Sequence, residues 1–386
     1  MSAEPEPPQQ AFGRRVHWLE LFFDLVMAAY IGQIALGLHG DPTWGDVGAF
    51  VVLLATAWWA WVNASITMNL FGARVTPVLW VAGTVAMMAI GLMAVAVPDA
   101  LGQRAAAFAI GNAAIRLVWM TPWFIQRRRT GAVWWRPVLY NLLPAALWLV
   151  SIALPMPWQF VLWAAAVAVE MVLLGTIRRS GPWLQQNLDL DHMIERVNLL
   201  VVIVFGESVI SIIAQLSEHW MPLPALCAAL GFSTVALLAW IFFGHAVIGV
   251  ERGLHRLQQA GSLSGLRDTV MYLPYLLVAG IVMLAAALGT AVADAAARLP
   301  LGVTLRLAAG IALFFVAAGA ESLRYGAPWR DVVGWAPAGL VLPWLCVPLA
   351  RLVPAWGVVA GALLVVAALT VLLTRNATRI ARRRHA

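Results

Sequence analysis

The sequence contains no lysine and few charged residues of either sign. All 25 basic residues are arginine, and charged residues make up 11% of the 386-residue chain, whereas about a quarter of the residues in a soluble globular domain are charged. The chain has two cysteines, Cys227 and Cys346, and neither has another cysteine or a histidine at metal-ligand spacing. The composition therefore excludes an ordinary soluble domain, and the cysteines indicate neither a disulfide framework nor a zinc site.

Long apolar runs fill the sequence instead. Hydrophobic residues make up 62% of the chain, and the mean hydropathy is +0.84. A membrane-spanning helix needs about 20 mostly apolar residues. The pattern predicts an all-α polytopic membrane protein with about twelve transmembrane helices, at 16–37, 47–70, 78–97, 105–125, 138–154, 158–177, 196–215, 222–244, 271–292, 302–323, 332–350 and 355–374.

The arginines are unevenly distributed among the predicted loops. With a cytoplasmic N-terminus, 20 lie in inner loops and tails, three in outer loops, and two, Arg116 and Arg306, within segments. Because short cytoplasmic loops are enriched in basic residues, this asymmetry predicts that both termini are cytoplasmic. The net charge of +7 then reflects membrane topology, and we expect no nucleic acid partner.

The domain organisation follows from the same pattern. The polar, proline-rich first residues lack the short apolar region and cleavage site of a signal peptide, so we expect a disordered cytoplasmic tail. The polar loop near the middle of the chain is the best boundary between two halves. The predicted units are a tail at 1–15, a six-helix repeat at 16–177, a cytoplasmic linker at 178–194, a second six-helix repeat at 195–374 and a basic cytoplasmic tail at 375–386.

The stretch 16–26 places two carboxylates in the first predicted helix. Glu20 and Asp24 are separated by four residues, so both side chains project from one helix face. An acidic side chain in hydrocarbon costs several kcal/mol, on the order of 2.5–3.5 by the mildest scales. Glu20 and Asp24 are therefore our first candidates for a functional site.

Further polar residues lie within apolar segments. Arg116, near the middle of its segment, needs a partner inside the bundle, and Glu170 and Glu207 are also placed at depth. Tryptophans 58, 59 and 61 are typical of an interfacial belt, and Asn63 of a hydrogen bond between helices. The complete set of candidates for an ion path is Glu20, Asp24, Arg116, Glu170, Glu195, Arg196, Glu207, Ser208 and His245.

Two pairs of motifs suggest an internal duplication. The residues around Asp24 resemble those around Glu207, 183 positions later, and 58–63 resembles 240–245, 182 positions later. Six helices in each half give the two repeats the same orientation, so their axis of symmetry lies along the membrane normal. This arrangement predicts that Asp24 and Glu207 face each other near the midplane.

Several of these motifs together resemble the bacterial low temperature requirement A (LtrA) family. They are Glu-Leu-Phe-Phe-Asp-Leu at 20–25, Trp-Trp-Ala-Trp at 58–61, Glu-Arg at 195–196 and Gly-Glu-Ser at 206–208. The resemblance implies a location in the bacterial plasma membrane. An arginine followed by Phe-x-acid in the first helix of each half also resembles, in outline, two-repeat endolysosomal potassium channels.

These features favour a transporter or channel for protons, cations or a small solute, and not an enzyme. Desolvated acids at half-depth suit proton or cation coupling, although the same acids could pair with arginines and only stabilise helix packing. An alternative is a membrane-embedded enzyme that acts on a lipid or lipid-linked substrate, with a divalent metal held by Asp189, Asp191, Glu195 and His192. Another alternative is a non-transporting accessory or sensor membrane protein. We expect no cofactor and no metal. The expected partners are membrane lipids and a small ion or solute, and the sequence is compatible with a homo-oligomer.

Overall fold

A computed structural model describes residues 16–130, 134–175 and 187–385. Every regular element in these ranges is helical. The first part of the chain forms α1 (Trp18–Leu36), α2 (Trp44–Phe71), α3 (Pro77–Ala96), α4 (Ala105–Ile125), α5 (Arg127–Thr130), α6 (Trp135–Ser151) and α7 (Trp158–Gly175). The later part forms α8 (Leu190–Glu218), α9 (Pro222–Ile241), α10 (Val247–Gln259), α11 (Leu263–Arg267), α12 (Leu273–Ala293), α13 (Leu301–Arg324), α14 (Trp329–Val333), α15 (Ala336–Val341), α16 (Cys346–Leu349) and α17 (Ala355–His385).

The lengths of the helices confirm an all-α multi-pass membrane protein. In the described part of the chain, ten helices are long and apolar enough to cross a membrane. The predicted segment 138–154 corresponds to α6, which has 17 residues and is shorter than these ten. The predicted segment 332–350 is not a single α-helix, because it divides into α14, α15, a 3-10 turn at Leu342–Leu345 and α16. Its three prolines lack the N–H that a continuous helix needs.

Local sequence signals set the starts of several helices. Thr43 and Asp46 form a reciprocal capping box at the start of α2, and Thr76 caps α3, whose first residue is Pro77. Each cap satisfies backbone N–H groups that have no partner within the helix. These signals are local, which explains why most helix starts agree with the segments expected from the sequence.

The most deeply buried spans are α2 and the span that includes α12. α12 packs against α8 and α13. A Cβ atom placed on Gly280 of α12 would lie 2.7 Å from the carbonyl oxygen of Gly310 in α13. A Cβ atom placed on Gly310 would likewise lie 2.7 Å from the carbonyl oxygen of Gly280. The two glycines therefore allow the two backbones to approach closely, as small residues do between membrane helices.

Two helices extend across boundaries between the predicted units, and the division into units stays a prediction. α8 begins at Leu190, within the predicted linker 178–194, and α17 continues through the predicted tail to His385. The first tail, 1–15, and linker residues 178–186 lie outside the described residues. The duplication into two six-helix repeats stays a prediction.

Candidate functional site

α1 and α8 lie side by side and run in the same direction. Contacts between them join successively later residues of both segments: Glu20 with His192, Asp24 with Arg196, Gly32 with Glu207, and His39 with Ser211. The polar side chains on these two helices therefore follow a single interface through the bundle.

Four side chains at the beginning of this interface form what we call the Arg196 cluster: Glu20, Asp24, His192 and Arg196. Arg196 Nη2 lies 2.5 Å from Asp24 Oδ1, and Arg196 Nη1 lies 3.3 Å from Glu20 Oε2. His192 Nε2 lies 3.1 Å from the same Glu20 oxygen. Each of the four residues is at most 1% exposed. The guanidinium thus lies between two carboxylates that are removed from solvent and lipid.

Trp61 of α2 completes the surroundings of Asp24. Its indole Nε1–H donates to Asp24 Oδ1 at 2.8 Å, and its ring lies under the Arg196 guanidinium, 5.4 Å from the centroid. Trp58 and Trp59 are also buried, and the Trp58 indole donates to the Met271 carbonyl at 2.7 Å. The prediction that these tryptophans form an interfacial belt is therefore wrong, because α2 lies in the middle of the bundle.

Asn69 of α2 determines the orientation and the tautomer of His192. Asn69 Nδ2 donates to the Asp189 carbonyl at 2.7 Å, and its Oδ1 accepts from the Asp189 N–H at 2.9 Å, so the amide cannot be reversed. The same Nδ2 lies 3.0 Å from His192 Nδ1. His192 Nδ1 must therefore accept a hydrogen bond, which leaves the proton on Nε2, directed at Glu20.

A small cavity borders the Arg196 cluster. Its lining includes Glu20 and Arg196 together with apolar groups from α1 to α4, among them Gly83 and Trp119. The cavity has room for about one water molecule. Within the described residues, Arg196 Nε and Asp24 Oδ2 make no hydrogen bond. The cluster therefore retains donor and acceptor capacity that a mobile proton or a water molecule could use.

Arg116 has its partner in Glu170, and this pair is separate from the Arg196 cluster. Arg116 Nε and Nη2 donate to the two Glu170 oxygens at 2.6 and 2.8 Å. Nη1 donates to the backbone and side-chain oxygens of Asn112, both at 3.0 Å, and Nη2 also reaches the Thr56 carbonyl at 3.4 Å. All five donors of the guanidinium are used. This geometry is typical of a structural ion pair that holds α2, α4 and α7 together.

Glu207 is half-buried and does not lie opposite Asp24 as expected. Its carboxylate packs over Gly32 of α1, where an added Cβ would lie 2.7 Å from Oε2. Gly32 is eight residues beyond Asp24, about 12 Å along the helix. Arg196, not Glu207, lies opposite Asp24, because the register between α1 and α8 differs from the one the motif alignment suggested. Ser208 is buried and bonds back to the Val204 carbonyl at 3.4 Å.

The two remaining candidates are outside the cluster. Glu195 is exposed and accepts a hydrogen bond from the Val16 N–H at 3.2 Å, which ties the start of α1 to α8. His245 lies in a π-helical turn at Phe242–Ala246, and its side chain is outside the described residues. Asn63 donates to Asn141 Oδ1, the helix-to-helix hydrogen bond that its position predicts.

The residues proposed for a metal site have separate roles. Asp189 caps α8 by accepting from the His192 N–H at 3.1 Å, while Asp191 pairs with His255 at 3.0 Å on the surface. His192 is directed at Glu20. Among the described residues, no group of three His, Cys, Asp or Glu side chains is placed to hold a metal ion. The geometry therefore does not favour the metal-dependent enzyme.

At the far end of the α1–α8 interface lies a contact that the sequence did not single out. His39 Nε2 is 3.3 Å from Ser211 Oγ. A Cβ on Gly289 would lie 2.7 Å from Ser211 Oγ and 3.0 Å from His39 Nε2, so the glycine leaves room for this contact. Buried Arg306 donates to the Gly40 carbonyl at 2.6 Å. The loop after α1 is thus attached to α8 and α13.

This contact predicts a dependence of stability on pH. Burial lowers the pKa of His39, the Arg306 guanidinium lowers it further, and Glu218 opposes both. The unfolded chain therefore binds a proton more readily, so the stabilisation is present above about pH 6.5 and declines as the pH falls below it. We expect the Tm in detergent to fall on acidification. The fall should be smaller for the His39→Gln variant than for the wild type. An unchanged pH profile in the variant would assign the effect to other groups.

The comparisons with known proteins match the chain to a family. The family model for the bacterial low temperature requirement A protein (LtrA) matches residues 15–372. An uncharacterized protein from Rhizobium meliloti (strain 1021) is 27% identical over 238 residues, which cover 58% of this chain and 57% of the relative. The chain thus aligns with little more than half the length of that relative. No solved structure matches the chain.

Proposed function

The chain belongs to the bacterial low temperature requirement A family, and from this premise and the site geometry we propose that it moves protons or other small cations across a membrane. The observation that carries the proposal is the Arg196 cluster, in which two carboxylates share one arginine at a site with at most 1% exposure. Such groups are costly within a membrane protein and are typical of ion and proton pathways.

The position of further polar groups along α1 and α8 supports a route through the bundle. Glu195 lies exposed near the start of α8, the Arg196 cluster follows, Glu207 lies half-buried beyond it, and His39 meets Ser211 after the end of α1. We propose that an ion passes along this interface. We leave Arg116 and Glu170 out of the route, because every donor of the Arg116 guanidinium is used by Glu170, Asn112 and Thr56.

The proposal includes an orientation and a location. We propose that the protein is a multi-pass component of the bacterial plasma membrane with both termini in the cytoplasm, because the arginines of the sequence concentrate in the loops assigned to that side. The Arg196 cluster would then lie nearer the cytoplasmic surface and His39 nearer the outer surface. The surrounding partners are lipids, and the carried species is a small ion.

Flux in reconstituted vesicles tests this function. Purified protein in proteoliposomes is expected to dissipate an imposed gradient of protons or of one ion from a panel, read with a trapped pH dye and with ion-sensitive dyes. Glu20→Gln and Asp24→Asn are expected to lower the flux at least tenfold, because each removes a charge from the route. Ten-fold corresponds to about 1.4 kcal/mol in an activation barrier.

A matched control comes from the surface of α8, the helix that carries Arg196. Asp191 pairs with His255 away from the buried cluster, so Asp191→Asn is expected to preserve the flux. Wild-type protein that carries none of the tested ions, or equal flux in the wild-type and the two cluster variants, would contradict the proposal.

A further inference from the structure

Glu207 places a carboxyl group near the middle of a spanning helix. α8 ends at Glu218, eleven residues beyond Glu207, which corresponds to about 16 Å along the helix axis. The Glu207 side chain is half-buried. An ionised carboxylate at this depth in an apolar span costs several kcal/mol, on the order of 2.5–3.5 by the mildest scales. Glu207 therefore needs a counter-charge or a proton.

The helices that pack against α8 offer little charge at this level. α9 and α12 both contact α8, and their sequences contain no arginine, lysine, histidine, aspartate or glutamate. On α8 itself, the nearest charged side chains are those of Arg196 and Glu218, each eleven residues from Glu207. On α1, Asp24 precedes Gly32 by eight residues, about 12 Å along the helix.

The titratable groups of the surrounding elements have partners of their own. α10 meets α8 at its start, where His255 pairs with Asp191. The other pairings are Asp24 with Arg196, Tyr30 with the Leu53 carbonyl, His39 with Ser211, Asp46 with its cap residue Thr43, Cys227 with the Ala291 carbonyl, Tyr275 with the Val51 carbonyl, and Asp268 with Arg267 and Arg324.

Glu207 differs in this respect from the paired acids of the bundle. Asp24 and Glu170 each contact a guanidinium. In the part of the chain that the structure describes, the Glu207 carboxyl makes neither a hydrogen bond nor an ion pair. A carboxyl group that is removed from water without a counter-charge is neutralised by a proton, because the unpaired anion is too costly.

The Glu207 carboxyl lies in a notch that Gly32 of α1 leaves open. A Cβ atom at Gly32 would lie 2.7 Å from Glu207 Oε2, so the carboxyl occupies the space of the missing side chain. Leu36 and Ile210, one helical turn beyond Gly32 and Glu207, are 53% and 58% exposed. The notch therefore lies at an apolar edge of the α1–α8 interface, where a small apolar molecule can reach it.

The ligands near Glu207 suit a proton better than a metal ion. A metal cation such as Ca²⁺ or Mg²⁺ takes about six oxygen ligands. Among the residues with described positions, no group of three His, Cys, Asp or Glu side chains could hold a metal ion. A proton needs a single carboxylate oxygen, which Glu207 supplies.

We propose that Glu207 is the carboxyl group that binds and releases the transported proton. The O–H bond formed on Glu207 takes its proton from water at the α1–α8 interface, and the proton returns to water when Glu207 ionises. The word transported rests on the proposed function. The protonation of Glu207 does not depend on flux and can be measured separately.

Labelling with dicyclohexylcarbodiimide tests the protonation. Full-length protein in lipid vesicles is treated with this apolar reagent over a range of pH, and the modified residues are located by mass spectrometry of peptides. The reagent adds to a protonated carboxyl group and not to a carboxylate ion. We expect an adduct at Glu207 whose yield declines as the pH rises. The adduct should be lost in Glu207→Gln.

Glu218 provides the matched control, because it is the same residue type on the same helix and is exposed. Glu218 should stay unlabelled in the wild type at neutral pH, and Glu218→Gln should retain the labelling of Glu207. The main measurement is made on the wild-type protein, so it does not depend on the folding of Glu207→Gln.

Three results would overturn the assignment. The first is the absence of an adduct at Glu207 at every pH, and the second is a yield that does not change with pH. The third is labelling that sodium chloride or potassium chloride suppresses at fixed pH, whereas N-methylglucamine chloride at the same ionic strength does not. That result would assign the notch to a metal cation.

Labelling and flux separate this inference from the function. In the proteoliposome assay, Glu207→Gln should abolish proton flux and Glu218→Gln should preserve it. An adduct at Glu207 with the expected pH dependence but without any ion flux would support the protonation of Glu207 and reject transport. Proton flux that persists in Glu207→Gln, with no adduct in the wild type, would support transport and reject Glu207 as the proton carrier.

Discussion

Replacing Glu170 with alanine is expected to lower the free energy of unfolding by about 3–5 kcal/mol, because it leaves the Arg116 guanidinium buried without its carboxylate. Arg116 is fully buried, and Glu170 is 1% exposed. Thermal or denaturant unfolding in detergent measures the change. The ion flux per folded molecule should persist, since this pair is separate from the Arg196 cluster.

A double variant provides the control for this prediction. In Arg116→Met with Glu170→Leu, both charges are replaced by apolar side chains, and most of the stability should return. The recovery will be incomplete, because the oxygens of Asn112 and the Thr56 carbonyl lose the donors that Arg116 supplies. A Glu170→Ala protein with normal stability but without flux would instead place this pair on the ion route.

Replacing Arg196 with methionine is expected to have an effect at least as large on stability and to abolish flux. The substitution removes the positive charge that lies 2.5 Å from Asp24 and 3.3 Å from Glu20, and breaking such a buried ion pair costs about 3–5 kcal/mol. The Tm in detergent and the flux in proteoliposomes measure the two consequences. The Tm and the flux should both fall in the Arg196→Met protein, whereas only the stability should fall in the Glu170→Ala protein.

Two further variants test the electrostatic explanation. Arg196→Lys retains the charge but loses the planar fork that reaches both carboxylates and the face that stacks on Trp61, so its stability should be intermediate. Adding Asp24→Asn to Arg196→Met removes the carboxylate that lies nearest to the lost guanidinium and should recover part of the lost stability. If the Arg196→Met protein is as stable as the wild type, the cluster does not depend on the positive charge.

The residues inside the bundle show how far local sequence rules extend. The position of Arg116 within an apolar segment was sufficient to predict that it needs a buried partner, since an isolated charge is too costly there. The identity of the partner was not predictable, because Glu170 is 54 residues away and belongs to α7. A partner of this kind depends on which helices pack together and on their rotation.

The register between α1 and α8 illustrates the same limit. The motif alignment suggested that Asp24 and Glu207 face each other, but Arg196 occupies that place. His192, first considered a metal ligand, instead donates toward Glu20 because Asn69 orients it. The contributions of Trp61, Asn69 and His39 were missed, since each comes from a contact with another segment.

The sequence by itself determined the class of the protein, the family, most of the spanning helices and the presence of the buried acids Glu20 and Asp24. These properties depend on hydropathy, motifs and helical periodicity, which are read within about 20 residues. Only the tertiary structure decided which arginine lies beside which acid, with Arg116 against Glu170 and Arg196 against Asp24 and Glu20. Those relations depend on side chains that are distant in the chain and meet only when the helices pack.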